Sequence, residues 1–405
     1  MRSPGQTIEP TKASRPTNRV AAMNPDIIYN ETDQRTEYYL NPAFRYAGGA
    51  DEGAIIRSPR LKLVGVGLAV GDADGDGKNE VFIVGEHTIY ALRYNNSGMF
   101  EELANYKFSS SLSALRIDLL DLNGDGRAEI IISCVDRENM PKTIIMDFDG
   151  KKFKEQQSNI PFFMAVHKIP PDYTPKLLLQ KKGAFKLFDS GIYEAVKQGG
   201  KYTPGNRLLL PAEANVFNIT YLPDGSRYHV VITGDRETLK VYNHTGNLIA
   251  KTDETYSGSP ISMSYYLMPI GMGTPTKAME SSMYYVPIRK IATDLTGSGA
   301  YDLLVTKPIS VAAQFFERYR YFPQGELHSL YWDNVGLNLR WKTRRIKGAV
   351  TDFALADVTN NGHLDLAVCV NTYPGSLGVE SRRTILQVYP LDQSKTDVAP
   401  DRDAE

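Results

Sequence analysis

Four short acidic loops recur along this chain in one register, and their recurrence constrains the fold more than any other feature. The first, GDADGDGKNE (Gly71–Glu80), has acids at loop positions 1, 3, 5 and 9: Asp72, Asp74, Asp76 and Glu80. The second, DLNGDGRAE (Asp121–Glu129), repeats the spacing 49 residues on with Asp121, Asn123, Asp125 and Glu129. DLTGSGAYD and DVTNNGHLD keep the first and ninth acids and weaken the middle. They offer Asp294, Thr296, Ser298 and Asp302, then Asp357, Thr359, Asn361 and Asp365. Between the second and third acidic loops, AVHKIPPDYTPKLLLQ and NITYLPDGSRYHVVIT keep only the flanks: apolar run, polar turn, apolar run. Six units therefore begin near residues 64, 113, 164, 214, 287 and 350.

Each clear unit has the same layout. VGVGLAV, EVFIVG, TIYALRYN and FEELANYKF surround the first loop as four short runs separated by turn residues. Four strands in roughly 50 residues, repeated, predict an all-β propeller with four antiparallel strands per blade. The last unit holds three runs, DFALAD, LDLAVCV and TILQVYPL. Its fourth strand is expected from GAIIRSPRL (Gly53–Leu61), so that N- and C-terminal strands close the ring and leave no open edge. Six blades follow. Seven is the alternative, because 73 residues separate the fourth and fifth units. The surplus, about residues 252–283, is rich in Gly, Pro, Ser and Met and reads as an insertion into a propeller spanning 53–392. Residues 1–52 read as a polar, partly disordered linker, and 393–405 as a disordered tail.

Charge narrows the partners. Forty-six Lys and Arg against 47 Asp and Glu leave the chain near neutrality, which argues against a dedicated nucleic-acid binder. No apolar run has the length of a membrane span. The first residues lack the hydrophobic core of a signal peptide. The expectation is either a cytosolic protein or a chain whose true start lies upstream. Cys134 and Cys369 each follow an acidic loop inside an apolar run, which predicts buried strand thiols rather than a disulfide scaffold.

The loop spacing has a chemical reading. Ca²⁺ takes six to eight oxygens, and carboxylates or amides at positions 1, 3, 5 and 9 with a backbone carbonyl at position 7 supply such a set. In the first loop the donors are Asp72, Asp74, Asp76, Glu80 and the Lys78 carbonyl. In the second they are Asp121, Asn123, Asp125, Glu129 and the Arg127 carbonyl. The two later loops carry two acids each, are weaker candidates, and satisfy their turns with Thr, Ser and Asn. An EF-hand is excluded by strand-like flanks and a final acid at position 9 instead of 12.

LAVGDADGDGKNEVFIV and LRIDLLDLNGDGRAEIIIS resemble the FG-GAP/VCBS repeats of integrin-type β-propellers, and TDFALADVTNNGHLDLAVCV is a looser match. The resemblance covers about residues 53–392. It is specific in the first two acidic loops, partial in the last two and absent as a motif in units three and four. It implies Ca²⁺ pinning the strand turns through Asp72, Asp74, Asp76, Glu80, Asp121, Asn123, Asp125 and Glu129. It also implies an extracytoplasmic setting (secreted, periplasmic or envelope-associated), where weak Ca²⁺ sites are useful.

No catalytic constellation is legible. The six histidines show no metal-ligand spacing, and GxSxG, P-loop and GxGxxG motifs are missing from the sequence. RWKTRRIK (Arg340–Lys347) reads as a solvated blade strand rather than a polyanion site. FFERYRYF (Phe315–Phe322) reads as a strand packing aromatics between blades. The Met- and Tyr-rich insertion is the best binding candidate, because a long loop on a rigid scaffold is where function concentrates; it reads equally as a lid over the axis. The expectation is a non-enzymatic, Ca²⁺-stabilised scaffold for a protein or glycan partner, with no nucleic acid. The alternatives are a carbohydrate-active enzyme (lyase or hydrolase) with its site on the axial face, or the C-terminal module of a larger envelope protein.

Overall fold

The computed structural model describes residues 55–184, 186–266, 281–295, 297–310, 320–373 and 382–391. The expected linker 1–52 and tail 393–405 lie outside them. The described residues contain strands and turns and no helix. After β1 (Ile56–Arg57), blade one comprises β2 (Gly65–Gly71), β3 (Glu80–Gly85), β4 (Thr88–Tyr94) and β5 (Phe100–Lys107). Blade two is β6 (Leu112–Leu120), β7 (Glu129–Asp136), β8 (Thr143–Phe148) and β9 (Phe153–Ile160). Blade three is β10 (Phe163–Ile169), β11 (Thr174–Lys182), β12 (Phe188–Gln198) and β13 (Lys201–Arg207). Blade four is β14 (Ile219–Asp224), β15 (Arg227–Thr233), β16 (Thr238–Asn243) and β17 (Leu248–Thr255). A separate hairpin follows, β18 (Ser262–Tyr266) and β19 (Ser281–Tyr285). Blade five is β20 (Ile291–Thr293), β21 (Asp302–Ile309), β22 (Gln324–Trp332) and β23 (Leu337–Lys342), with a short β24 (Ile346–Lys347) beside β22. Blade six is β25 (Ala349–Ala356), β26 (Asp365–Thr372) and β27 (Arg383–Pro390), completed by β1.

The six-bladed count is the one that the sequence favours, and the closure is the one expected. Ile56 pairs with Val388 and Arg57 with Gln387. The surplus that suggested a seventh blade is the β18–β19 hairpin. It begins later than composition implied, because residues 252–255 belong to β17, an outer strand whose polar side chains look like loop in sequence.

First strands line the axis: β2 packs on β6 and β25, and β10 on β6 and β14. Second strands are buried on both faces, which is why EVFIVG and EIIISCVD are nearly unbroken apolar runs. Period-two alternation divides each between two cores. From β3, Phe82 and Val84 join blade two's Ile117, Ile130 and Phe148, whereas Val81 and Ile83 join blade six's Leu386 and Val388. Cys134 and Cys369 sit in these cores as free, buried thiols, and burial raises both pKa values, that of Cys369 to about 12.

A charged cluster ties the first strands together near the axis. Arg289, entering blade five, donates to both Asp352 oxygens (2.7 Å each), to Asp118 Oδ1 (3.1 Å) and to the Ile117 carbonyl (2.7 Å). It thus links blade six with blade two, which lies opposite blade five in a ring of six. Asp352 also accepts from Leu68 N of blade one, and Asp118 from Arg116 and from Val166 N of blade three. Burial alone would raise the Asp118 pKa, but Arg116 and Arg289 more than offset it and hold that carboxyl below its ordinary range. Burial, with Arg116 nearby, lowers His167 to about 3, and its Nε2–H donates to the Val216 carbonyl of the next blade's approach.

Lys290 bonds the Asn218 carbonyl (2.8 Å) and Thr233 Oγ1 (2.9 Å). Burial, then the charge of Arg116, pulls its pKa to about 7. The folded chain therefore holds fewer protons than the unfolded one between that pH and the ordinary lysine value. Stability from this group rises with pH across the window and is lowest below it. Denaturation of Lys290→Met against wild type from pH 7 to 10 should show this slope in the wild type alone; parallel curves would refute it.

Candidate metal centres

Antiparallel connectivity puts every first-to-second-strand turn on one face, so the four acidic loops share it. Their backbones match. Loop positions 4 and 6 have positive φ in each: Gly75 and Gly77, Gly124 and Gly126, Gly297 and Gly299, and Asn360 and Gly362. Glycine or asparagine is needed there because other side chains are strained in that region.

The first acid caps the turn in all four loops. Asp72 accepts from Gly75 N (2.7 Å) and Gly77 N (2.8 Å), Asp121 from Gly124 N (2.6 Å) and Gly126 N (2.9 Å). Asp294 accepts from Ser298 N and Gly299 N, and Asp357 from Asn361 N and Gly362 N. The ninth acid opens the next strand and is buried in every case. In three loops it reaches back to the second residue's N–H: Glu80 to Ala73 (3.0 Å), Glu129 to Leu122 (2.7 Å) and Asp365 to Val358 (2.9 Å). Asp302 instead accepts from Ser329 Oγ (2.7 Å) and Arg340 Nε (2.8 Å). The first acid therefore has a turn-capping role that needs no metal in all four loops, and the ninth has one in every loop but the third, where Asp302 holds Ser329 and Arg340.

The middle positions differ between loops. In the first, Asp72, Asp74 and Glu80 each bring an oxygen within 4.8 Å of the others, as a metal site requires. Arg93 of β4 already bonds two of them, and Asp76 as well. Its Nη2 donates to Asp74 (2.8 Å), its Nη1 to Asp76 (2.8 Å), and its Nε and Nη2 to Glu80. The remaining oxygens accept backbone N–H groups, among them Asp76 N on Asp74 and Lys78 N on Asp76. With Arg93 in place, this loop does not fit an added cation. Sequence reasoning missed Arg93, although register finds it: Val81 pairs with Leu92, which puts Arg93 across from Glu80.

In the second loop Asn123 takes the place of Asp74. Its amide donates to Asp125 (3.2 Å) and Glu129 (2.6 Å), and its Oδ1 accepts from Asp125 N (2.8 Å). Arg127 N donates to Asp125 (2.9 Å). Among the described residues no basic side chain is ion-paired to Asp121, Asp125 or Glu129. Burial, together with Asp121 and Asp125, raises Glu129, whereas backbone bonds, Gly126 first, lower the exposed Asp121. Every donor on these acids is a neutral N–H, so their charge is not balanced within the loop; Asp121, Asn123, Asp125 and Glu129 are the residues that would hold a divalent cation, although the three carboxylates do not all come within 4.8 Å of one another as those of the first loop do.

The fourth acidic loop has an orphan. Thr359 Oγ1 and backbone N–H groups satisfy Asp365 Oδ2, but Oδ1 is fully buried without a hydrogen-bond partner. Burial raises this carboxyl. Asn361 caps His363 N, and the His363 side chain is exposed as its loop position predicts. An unmet buried oxygen in a loop that also carries Asp357 and Asn361 makes Asp365 a candidate cation ligand. In the third acidic loop Thr296 lies outside the described residues, and Ser298 is exposed.

The opposite face carries the elaborations. Met263 and Val286 anchor the hairpin in the core between blades. Asn139 Nδ2 donates to the Ser264 carbonyl (2.7 Å), Tyr284 Oη bonds Asn215 (3.0 Å), and the Tyr284 ring meets Phe188 edge-on. Met283, cross-strand from Ser264, is 45% exposed, and Met140, beside Asn139, is 40% exposed. Of the aromatic run 315–322, residues 315–319 lie outside the described residues. Residues 320–322 are not strand, contrary to the sequence reading: Arg320 lies between the Tyr285 and Phe322 rings and pairs with Glu237. RWKTRRIK is less solvated than expected. Trp341 is buried, Arg340 meets Asp302, and Lys342 and Arg345 meet Glu326.

A family model for the FG-GAP-like repeat matches residues 72–132, the first two acidic loops and the strands between them. No curated protein matches the chain. Among solved structures, BBS1N in complex with ARL6DN, soaked with lead, is 12% identical with a TM-score of 0.41, over 84% of this chain and 99% of that one. A putative oxidoreductase (glucose dehydrogenase) from Thermus thermophilus is 11% identical with a TM-score of 0.42, over 82% and 99%. Likeness at this level says nothing about what this chain binds.

Proposed function

We propose that this chain, a six-bladed β-propeller with FG-GAP-like repeats, is a non-enzymatic scaffold that binds a protein or glycan partner on the face bearing the β18–β19 hairpin. Ca²⁺ stiffens the opposite face at the second and fourth acidic loops. Sites of this kind, with two or three acids, suit the millimolar Ca²⁺ found outside the cytoplasm. One observation carries the reading. The hairpin is pinned at both strands by core anchors and hydrogen bonds, yet its Met283 is exposed, and so is Met140 in the turn whose Asn139 bonds the hairpin. Methionine is an adaptable contact residue, and a backbone already held in place leaves only side-chain entropy to be lost on binding. The axial cluster around Arg289 occupies the position where an axial substrate site would need open space.

The test uses the full chain on a glycan array and in chemical cross-linking, with affinity for any ligand found measured by calorimetry. Met283→Ser with Met140→Ser should weaken binding at least tenfold, and Asp121→Asn should leave it unchanged. Binding unaffected by the methionine pair, or turnover of a bound glycan, would contradict the scaffold reading.

A further inference from the structure

We propose that Arg93 is the resident cation of the first acidic loop, so that the loop with the most metal-like sequence is the one that takes no Ca²⁺. This deepens the calcium part of the function proposed above. Four carboxylates meet there, with eight oxygens, and every one has a protein donor, as in the second loop, but of these two loops only the first has a cation among its donors. Asp72 is held by Gly75 N and Gly77 N. Asp74 is held by Asp76 N and Arg93, Asp76 by Lys78 N and Arg93, and Glu80 by Ala73 N and Arg93. A guanidinium carries its N–H donors in a rigid planar fork, and here both terminal nitrogens and Nε are in use on three separate carboxylates. A lysine, one compact charge, does not span them.

The neighbouring blade stands close to this loop. A Cβ built on Gly150 would lie 2.7 Å from Asp74 Oδ2, and one on Gly75 would lie 3.0 Å from Arg127 Cγ. Backbone and side chain of blade two therefore pack closely against the loop at Asp74 and Gly75.

The same strand position explains why the other loops differ. Opposite the ninth acid stands Arg93 in blade one, Asp147 in blade two, Tyr331 in blade five and Pro390 in blade six. In blade five Arg340 reaches over the Tyr331 ring to Asp302, a second internal counter-ion. Blades two and six have none among the described residues. Cation demand thus falls on the loops of Asp121 and Asp357.

Calorimetric titration of Ca²⁺ into the full chain counts the ions. Arg93→Met should bind one more Ca²⁺ per chain than wild type, or fold only when Ca²⁺ is present, which reports the same gain. The double variant Asp74→Asn/Asp76→Asn, which removes acids held by Arg93, should keep the wild-type count. A folded Arg93→Met with an unchanged count, or loss of one ion in the double variant, overturns the proposal. A wild type that binds no Ca²⁺ fails the second and fourth loops and leaves the Arg93→Met gain to be read separately.

Discussion

Arg289→Met is expected to lower the unfolding free energy by about 3–5 kcal/mol, the range for removing one partner from a buried ion pair. Asp118 and Asp352 are 4% exposed each. Without the guanidinium, two carboxylates face each other in the interior with less than one positive charge apiece. The loss is also topological: Arg289 hydrogen-bonds blades two and six from the entry to blade five, so its removal loosens opposite sides of the ring together. Replacing both acids by Asn in the same background should recover much of the loss, since a neutral cluster no longer needs the cation. Urea denaturation of the single and triple variants decides this. A single variant within about 0.5 kcal/mol of wild type, as for ordinary surface changes, would show that the cluster is dispensable.

Asn371→Ala is expected to cost roughly 2–4 kcal/mol, through one buried carbonyl left unmet and a weakened network around it. Asn371 of β26 accepts from Gly65 N (2.8 Å) and donates to the Gly65 carbonyl (2.9 Å). Thr384 of β27 bonds Gly65 N, the Leu63 carbonyl and Asn371 itself, and exchanges backbone bonds with Leu61. These groups grip the chain between β1 and β2, where blade six meets blade one. β1 contributes only two paired residues, so side-chain bonds must hold much of this seam. The measurement is the denaturation midpoint together with limited proteolysis around residue 61. The variant should lose stability and gain cleavage there, and protection equal to wild type would contradict the closure described.

The fold was legible because each of its determinants is local. Strand runs, Asp-Gly turns and a period near 50 residues all lie within one blade, and the borrowed fourth strand follows from the blade that ends one strand short. The site was only half legible. Asp72 and Asp121 look alike in sequence because both cap a turn, and the motif does not say whether a side-chain cation of the chain already balances the other acids. That depends on one residue across a strand pair, Arg93 or Asp147, which only register reveals. Asp365 looked weak by acid count, yet burial leaves its Oδ1 without a donor. The axial Arg289 was invisible for a different reason: it acts through residues more than sixty positions away in either direction.

The central claim is that the acidic turns are held by their own caps, and that an ion enters only where the chain supplies no counter-ion. Crystals of the wild-type protein grown with Ca²⁺, or with a lanthanide whose anomalous signal marks each bound ion, test it most directly. Peaks are expected beside Asp121 and beside Asp365, with Arg93 still across Asp74, Asp76 and Glu80. A peak among Asp72, Asp74 and Glu80 with Arg93 swung away would contradict it.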